Sequence, residues 1–275
     1  MIRIINSTRP WPGGRPGPAR RPPLPFGPVV FAALVAAWWL ASVLELAPPF
    51  LLPAPDVVFA TARDLALDGT LFRHLQVSLL RIAAGFLGAT AIALPLAVAF
   101  GLWPAFARSL DPLVEFLRHV PPLALIPLLI LWLGIGEAQK LAVIILAAFF
   151  PIFLNAGTGI AQCDPKLVEV GRVCGLGRAA IVRRIVLPAA LPAILVGLRL
   201  GFGYSWRALV GAELIAASSG LGYMIVNAEN LARTDIVIVG ILAIGLLGVA
   251  LDRVGRILAR RMAPWIRSEL DLGRA

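Results

Sequence analysis

Long apolar runs alternate with short polar segments along most of this sequence. Because an α-helix rises about 1.5 Å per residue, about 20 mostly apolar residues are needed to cross the hydrocarbon core of a bilayer. Six segments meet or approach that length: residues 28–47, 78–102, 112–133, 139–160, 190–217 and 235–253. The pattern therefore predicts an all-α membrane protein with six transmembrane helices.

Proline interrupts several of these runs, at Pro95, Pro121, Pro122, Pro127 and Pro151. A proline inside a helix removes a backbone N–H group, and such breaks at membrane depth are tolerated where neighbouring helices or a water-filled cavity satisfy the freed backbone. This favours a transport path over an inert anchor. Proline kinks alone do not decide it, since they also occur in membrane proteins that transport nothing.

The composition agrees with a membrane location. Hydrophobic residues make up 59% of the 275 residues and charged residues only 15%, which is too little charge to cover a soluble globule of this size. The formal net charge is +10, but the basic residues lie between the apolar runs, as in membrane loops, so nucleic acid is not an expected partner. Cys163 and Cys174 are far in sequence from His74 and His119, which indicates neither a disulfide framework nor a zinc site.

The distribution of Lys and Arg predicts the orientation of the chain. Most of the basic residues outside the spans lie in the N-terminal tail, in the loop 161–187 and after the last span. The opposite side holds only Arg63, Arg73, Lys140 and Arg233. By the positive-inside rule, both termini and the 161–187 loop should be cytoplasmic, in a multi-pass protein of the cytoplasmic (inner) membrane.

Four regions follow from these patterns. They are a disordered basic cytoplasmic tail (1–27), a first transmembrane helix with an extracytoplasmic amphipathic segment (28–72), a transmembrane domain containing the loop 161–187 (73–258), and a cytoplasmic C-terminal tail (259–275). Pro55 and Asp56 indicate the start of the amphipathic segment, which is expected to be a helix at the outer interface. An ordinary connector explains the same residues equally well.

The cytoplasmic loop begins with a strong helix signal. Asp164 is a suitable N-cap and Pro165 fits the first helical position. Apolar or small residues then recur at helical spacing, at Leu167, Val170, Gly171 and Cys174. The sequence therefore predicts a short helix with one apolar stripe.

Gly175 and Gly177 should end this helix, and a second short helix over 178–186 should end against Pro188. Such short helices are marginal in water on their own. The apolar stripe is therefore expected to dock on another protein. The alternative, that it packs on the membrane surface or on the cytoplasmic ends of the spans, remains open from these residues alone.

The spacing of this loop resembles the cytoplasmic signature of ATP-binding-cassette (ABC) import permeases. That pattern is Glu-Ala-Ala, three residues, Gly, nine residues, Ile, one residue and Leu-Pro. The matching positions are Glu169, Gly175, Ile185, Leu187 and Pro188, while Val170 and Gly171 stand where the family usually has alanine. Residues 51–55, 126–134 and 212–223 are similar to the branch that imports taurine, aliphatic sulfonates, nitrate and related solutes.

The resemblance implies a type I ABC importer permease fold and a defined set of partners. Two permeases, expected here as a homodimer, would pair with two ABC ATPase subunits and one extracytoplasmic solute-binding protein. The loop would be the coupling element that contacts the ATPase, through Asp164, Leu167, Glu169, Val170, Gly171, Cys174, Gly175, Ile185, Leu187 and Pro188.

The chain cannot hydrolyse ATP by itself. A P-loop needs a Gly-Lys-Ser or Gly-Lys-Thr sequence, whereas the two lysines, Lys140 and Lys166, follow Gln139 and Pro165. This chain is therefore expected to be a transport subunit, not an enzyme, and to bind no cofactor. ATP and Mg²⁺ should be used by the separate ATPase chain.

Charged residues within the fifth span are candidates for the substrate pathway. A charge at membrane depth costs at least about 2.5 kcal/mol on insertion scales, so it usually faces a cavity or a partner. We expect Arg207 to face the path of an anionic solute, and Glu213 is a second pathway candidate. The alternative for Arg207 is an ion pair within the protein or with a dimer partner.

The expected solute is an aliphatic sulfonate or taurine, with nitrate, bicarbonate or a vitamin precursor as alternatives on the same scaffold. An ion-coupled secondary carrier is a more remote alternative, because neither duplicated halves nor a cluster of intramembrane carboxylates is visible. A membrane-embedded enzyme is disfavoured because no catalytic arrangement emerges.

Overall fold

The described part of the chain, residues 26–262 of a computed structural model, is helical and contains no β-strand. Its α-helices, in chain order, are α1 (Phe26–Val43), α2 (Pro55–Leu67), α3 (Thr70–Leu102), α4 (Pro104–Arg118), α5 (Ile126–Leu133), α6 (Glu137–Ala161), α7 (Pro165–Val173), α8 (Arg178–Ile181), α9 (Leu187–Ala216), α10 (Leu221–Asn230) and α11 (Thr234–Met262). The predicted all-α fold is confirmed. Almost all of the predicted tail 1–27 lies outside the described residues, and so does most of 259–275, into which α11 extends as far as Met262.

Among the described residues, four helical segments are long and apolar enough to cross a membrane. They are Thr70–Leu102, Glu137–Ala161, Arg178–Asn230 and Thr234–Arg261. A fifth span exists only if α4 and the segment Pro122–Leu133 are counted together, and α1, with 18 residues, is a shorter apolar helix. The predicted count of six spans is therefore not confirmed.

The third predicted span, residues 112–133, is not a straight helix. α4 ends at Arg118, a 3₁₀ turn follows at Pro122–Leu125, and the two parts meet at an angle of 87°. Pro121 and Pro122 remove two successive backbone N–H donors, and the helix is broken there, whereas the single prolines Pro95 and Pro151 remain inside the continuous helices α3 and α6. The expectation of one helix over 112–133 is corrected to a bent pair.

The core is formed by α3, α6 and α9, with α6 packed most extensively against the other two. Small buried residues let the helices approach closely, among them Ala93 on α3 and Ala148 on α6. A Cβ atom added at Gly197 would lie 3.1 Å from the Pro151 carbonyl oxygen, and one at Gly201 would lie 3.0 Å from the Ala148 carbonyl oxygen. These two glycines, four residues apart on α9, therefore permit close contact with the backbone of α6.

The second helix of the loop 161–187 does not end before Pro188. A π-helical turn, Val182–Val186, joins α8 directly to α9, and Pro188 lies in the first turn of α9. The wider π turn departs from α-helical hydrogen bonding just where the missing N–H of Pro188 would interrupt it. The predicted end of the helix against Pro188 is therefore wrong, and the loop continues without a break into a core helix.

The segment after α1 contains the predicted helix, α2, with Pro55 in its first turn. Val58 is buried, and the Thr61 hydroxyl donates a hydrogen bond of 2.8 Å to the Asp235 carboxylate at the start of α11. The indole N–H of Trp38 on α1 donates to the Pro53 carbonyl oxygen. The helix is confirmed, and its position at the outer interface stays a prediction.

Candidate functional site

The N-terminal end of α7 is fixed by its own sequence. The backbone N–H of Lys166 donates a hydrogen bond of 2.9 Å to the Asp164 carboxylate, and Pro165 lies in the first turn. At the other end Cys174 is the C-cap, and Gly175 adopts a φ of +77°, which favours glycine. The predicted helix start and stop are confirmed.

The apolar residues of α7 are divided between two surfaces. Gly171 is buried against Ile181 and Ile185, and Val168 packs on the bundle. By contrast, 48% of Leu167 and 60% of Val170 are exposed. The single predicted stripe is therefore corrected: α7 has a bundle-facing side and a separate exposed side.

We call the exposed side the coupling face, after the role that the sequence resemblance predicts for it. It consists of Leu167, Glu169, Val170, Val173 and Cys174, all of which are exposed. Within the described chain Leu167 and Val170 do not pack on the ends of the spans, which leaves contact with the membrane surface as the alternative to a protein partner for these side chains. An apolar patch rimmed by charged residues on a short helix is typical of a protein contact surface.

The remaining residues of the signature connect α7 to the bundle. A Cβ atom added at Gly171 would lie 2.6 Å from the Cδ1 atom of Ile185, so the glycine lets α7 sit directly on this side chain. Leu187 packs against the main core cluster, and Pro188 is exposed in the first turn of α9. Contacts between α7 and the segment from Ile185 to Pro188 thus position the coupling face relative to α9.

Arg207 lines a cavity of about 730 Å³ between the bend after α4, the middle of α6 and α9. Its guanidinium carbon lies 5.7 Å from the ring centre of Tyr204, a cation–π arrangement. Arg118, His119 and Asn155 line the same cavity, and Arg118 forms an ion pair with Glu115. The cavity therefore combines basic, aromatic and amide groups, which can hold a small anion.

Glu213 does not line that cavity. Only 1% of the residue is exposed, and its carboxylate accepts hydrogen bonds from the Ser78 hydroxyl and from the backbone N–H of Gly222. It also forms an ion pair of 2.8 Å with Arg81. The structure therefore does not bring the two predicted pathway residues together, and it places Glu213 inside a buried polar cluster.

Arg81 is the centre of this cluster, which we call the Arg81 network, and it was not among the predicted residues. Its guanidinium donates two hydrogen bonds to Glu137, of 2.6 and 2.7 Å. It also donates to Glu213, and to the carbonyl and hydroxyl oxygens of Ser219. Lys140 adds a bond of 2.8 Å to Glu137. One buried arginine thus links α3, α6, α9 and the α9–α10 connection.

The same network satisfies the start of α10. The N–H groups of Gly220, Leu221 and Gly222 donate to His74, Ser78 and Glu213 respectively. A negative charge at a helix N-terminus is also favourable electrostatically. A signal for the network was present, because Arg81 lies within an apolar run and Glu213 and Ser219 lie in the 212–223 segment, but their pairing depends on distant parts of the chain.

Comparison with known sequences agrees with the family that the spacing of the signature indicates. Residues 89–264 match the family described as binding-protein-dependent transport system inner membrane component. The taurine transport system permease protein TauC of Escherichia coli (strain K12) is 39% identical over 239 residues, covering 85% of this chain and 87% of that one. The putative aliphatic sulfonates transport permease protein SsuC of Bacillus subtilis (strain 168) is 40% identical over 237 residues, or 86% of each chain.

More distant similarities extend the comparison. The nitrate import permease protein NrtB of Leptolyngbya laminosa is 32% identical over 202 residues, covering 74% of this chain and 72% of that one. Among solved structures, an inward-facing conformation of the MetNI methionine ABC transporter matches with a TM-score of 0.53 at 18% identity. That match covers 66% of this chain and 92% of the other, and it shows the shared fold.

Proposed function

This chain belongs to the family of binding-protein-dependent transport system inner membrane components and is the permease subunit of an ATP-driven importer, and on that premise we propose that it imports taurine or an aliphatic sulfonate. The similarity to TauC and SsuC over most of the chain carries this proposal. Nitrate is the second candidate, favoured by the weaker similarity to NrtB. The permease works with ATPase and solute-binding partners.

The proposed coupling element is α7 with its flanking residues, from Asp164 to Gly177. The exposed Leu167 and Val170 give the ATPase an apolar contact, while buried Gly171 and Ile185 fasten α7 to the bundle. Because α8, the π turn and α9 form one continuous helical segment, movement of the loop would displace α9 directly. Different contacts with the ATPase could then bias inward-open and outward-open arrangements.

The proposed assembly contains two copies of this chain, two ATPases and one solute-binding protein. The coupling face and both termini would lie in the cytoplasm, and α2 and the α10–α11 turn on the opposite side, as the distribution of basic residues indicates. ATP and Mg²⁺ would bind the ATPase chains, and no cofactor is proposed for this one.

Arg207 is proposed to contact the anionic group of the solute during passage. It is exposed, it lines the cavity of about 730 Å³, and its side chain lies over Tyr204. Among the described residues no carboxylate is paired with it. Glu213 lies outside this cavity, because Arg81 and Ser78 hold its carboxylate in the buried network.

Uptake into proteoliposomes tests the solute. The chain would be reconstituted with its ATPase and solute-binding partners, and radiolabelled taurine, ethanesulfonate and nitrate would be offered with and without ATP. We expect ATP-dependent accumulation of one or both sulfonates. Accumulation of nitrate alone would select the second candidate, and accumulation independent of ATP would contradict the proposed mechanism.

Arg207→Gln tests the pathway residue, with Arg108→Gln on exposed α4 as the control. A hydrogen bond to a charged group contributes about 1.5–3 kcal/mol, so sulfonate uptake should fall by roughly 10- to 100-fold. Assembly with the ATPase and ATP hydrolysis should persist, and Arg108→Gln should transport normally. Normal sulfonate uptake by Arg207→Gln would refute this role for Arg207.

A further inference from the structure

A second arginine lines the cavity that contains Arg207. Arg118 is the last residue of α4 and lines the cavity at the bend that follows this helix, whereas Arg207 lies on α9. Most of the other lining residues are apolar, among them Leu123, Leu146, Phe150 and Leu200. Apolar surroundings screen charges less than water does, so two guanidinium groups on separate helices attract an anion strongly here.

Arg118 has hydrogen-bonding capacity to spare. A guanidinium group carries five N–H donors, and within the described chain Arg118 donates one hydrogen bond, from Nη2 to the Glu115 carboxylate. By contrast, the buried Arg81 has a partner for every guanidinium nitrogen. Arg118 can therefore accept a further anionic partner without losing its place in the fold.

Glu115 is the present partner of Arg118, and it lies outside the cavity. It precedes Arg118 by three residues on α4, 57% of its side chain is exposed, and it is not among the residues that line the cavity. Ion pairs between exposed side chains three residues apart on a helix are weak. An anion that enters the cavity can therefore replace Glu115 at Arg118, and the released carboxylate stays on the exposed side of α4.

The end of α4 is held independently of this ion pair. The Nδ1 atom of His119 lies 2.7 Å from the carbonyl oxygen of Glu115, and because a carbonyl oxygen only accepts, Nδ1 is the donor. The backbone N–H of His119 also donates to the Phe116 carbonyl oxygen, and that of Val120 to the Leu117 carbonyl oxygen. The side-chain pair can therefore open while the wall of the cavity keeps its shape.

We propose that Arg118 is a second anion-binding residue of the pathway and that Glu115 is its resident counter-ion, which the sulfonate group of the solute displaces. The proposal rests on the sulfonate import proposed above. Arg118 is paired before and after the exchange, so the apolar cavity never holds this charge without a partner. A neutral solute cannot replace the carboxylate, and the ion pair thus makes the cavity selective for anions.

Chemical protection tests the anion contact directly. The purified complex of permease and ATPase would be treated with phenylglyoxal, which modifies arginine, at constant ionic strength and without ATP or solute-binding protein. Mass spectrometry would follow the modification of Arg118 and of Arg108, which is exposed on α4 but does not line the cavity. We expect increasing ethanesulfonate to protect Arg118 and not Arg108. Its neutral analogue ethanesulfonamide should protect neither.

Glu115→Gln tests the counter-ion. Without the carboxylate, ethanesulfonate no longer competes for Arg118, so half-protection should need an about 2- to 5-fold lower concentration. Protection of Arg118 no better than that of Arg108, equal protection by ethanesulfonamide, or a half-protecting concentration unchanged by Glu115→Gln would overturn the proposal.

A charge swap separates solute binding from a structural role of the pair. Arg118→Gln should lower ATP-dependent sulfonate uptake by roughly 10-fold or more. The double variant Glu115→Arg with Arg118→Glu keeps an ion pair on α4 but places a carboxylate in the cavity, so its uptake should be as low. Co-purification with the ATPase confirms that each variant assembles. Normal uptake by the double variant would show that the pair is only structural and would refute the proposal.

The outcomes for the two proposals are distinct. ATP-dependent sulfonate uptake by the unchanged chain tests the permease function, and it does not depend on the variants of Glu115 and Arg118. If the unchanged chain accumulates sulfonate but Arg118 is not protected, the anion-binding role of Arg118 alone fails.

Discussion

At the scale of single residues, the strongest constraints are the charges that the bundle buries. Only 4% of Arg81 and 1% of Glu213 are exposed, yet every guanidinium nitrogen of Arg81 has a hydrogen-bond partner. Removing one member of a buried ion pair usually destabilises a protein more than the pair itself stabilises it, because the other charge is left without a partner.

Arg81→Met should therefore lower the free energy of unfolding by about 3–5 kcal/mol. The thermal midpoint of the purified chain in detergent measures the effect. Arg73→Met, at an exposed position on the same helix, is the control and should change the midpoint little. If Arg81→Met changed the midpoint as little as Arg73→Met, the Arg81 network would not stabilise the fold.

Gly220 tests whether the network leaves room for a side chain. Its φ is +112°, and a Cβ atom there would lie 2.2 Å from a carboxylate oxygen of Glu213. Gly69 is a control for the positive φ alone: its φ is +79°, its ψ of −3° differs from the 169° of Gly220, and its added Cβ atom would meet nothing within 4 Å.

Gly69→Ala should cost about 1–2 kcal/mol, the cost of the left-handed conformation alone. Gly220→Ala should cost clearly more, since its backbone conformation is essentially restricted to glycine and its Cβ atom would also displace Glu213. Unfolding midpoints measure both, and equal losses would contradict the close contact.

At the scale of elements, α7 depends on its cap because it has only nine residues. Asp164→Ala removes the acceptor of the Lys166 N–H and should destabilise the helix by about 1 kcal/mol. Hydrogen exchange of the 165–173 amides should then become faster. Asp164→Asn keeps an acceptor oxygen and should exchange like the unchanged chain, so equal acceleration in both variants would rule out the cap as the cause.

The contact between α6 and α9 depends on the absence of side chains. Gly201→Ala would place a Cβ atom 3.0 Å from the Ala148 carbonyl oxygen, whereas Gly203→Ala on the same helix would meet nothing within 4 Å. We expect Gly201→Ala to be destabilising by about 1–3 kcal/mol, as overpacked cores are. Gly203→Ala should be neutral or stabilising, because alanine favours helix. If denaturation ranks the two variants in the opposite order, the close approach of the helices is wrong.

At the scale of the whole molecule, the loop 161–187 combines an exposed face on α7 with a continuous helical segment from α8 into the core helix α9. Leu167→Glu should leave the stability of the chain within about 0.5 kcal/mol, because the residue is exposed. It should nevertheless reduce co-purification with the ATPase and ATP-dependent uptake.

Leu231→Glu is the matched control, since Leu231 is also exposed but lies at the α10–α11 turn, on the other side of the membrane in the proposed orientation. Co-purification and uptake unchanged by Leu167→Glu would remove the coupling role of this face. Equal losses in both variants would indicate a general effect of the added charge.

The sequence by itself determined the features that depend on neighbouring residues or on average hydropathy. Apolar runs predicted a helical membrane protein, Asp164 and Gly175 set the limits of α7, and the spacing from Glu169 to Pro188 identified the family. Each of these signals lies within a few turns of helix, where local hydrogen bonding and solvent preference decide the outcome.

The tertiary structure alone decided features that join distant segments. Arg81, Glu137, Glu213 and Ser219 meet only because α3, α6 and α9 pack side by side. The same packing selects which side of α7 is buried, and the π turn allows the loop helix to pass Pro188 into α9. Hydropathy fixes which segments leave water, but a buried charge is stable only beside a specific partner, and that partner is chosen by packing.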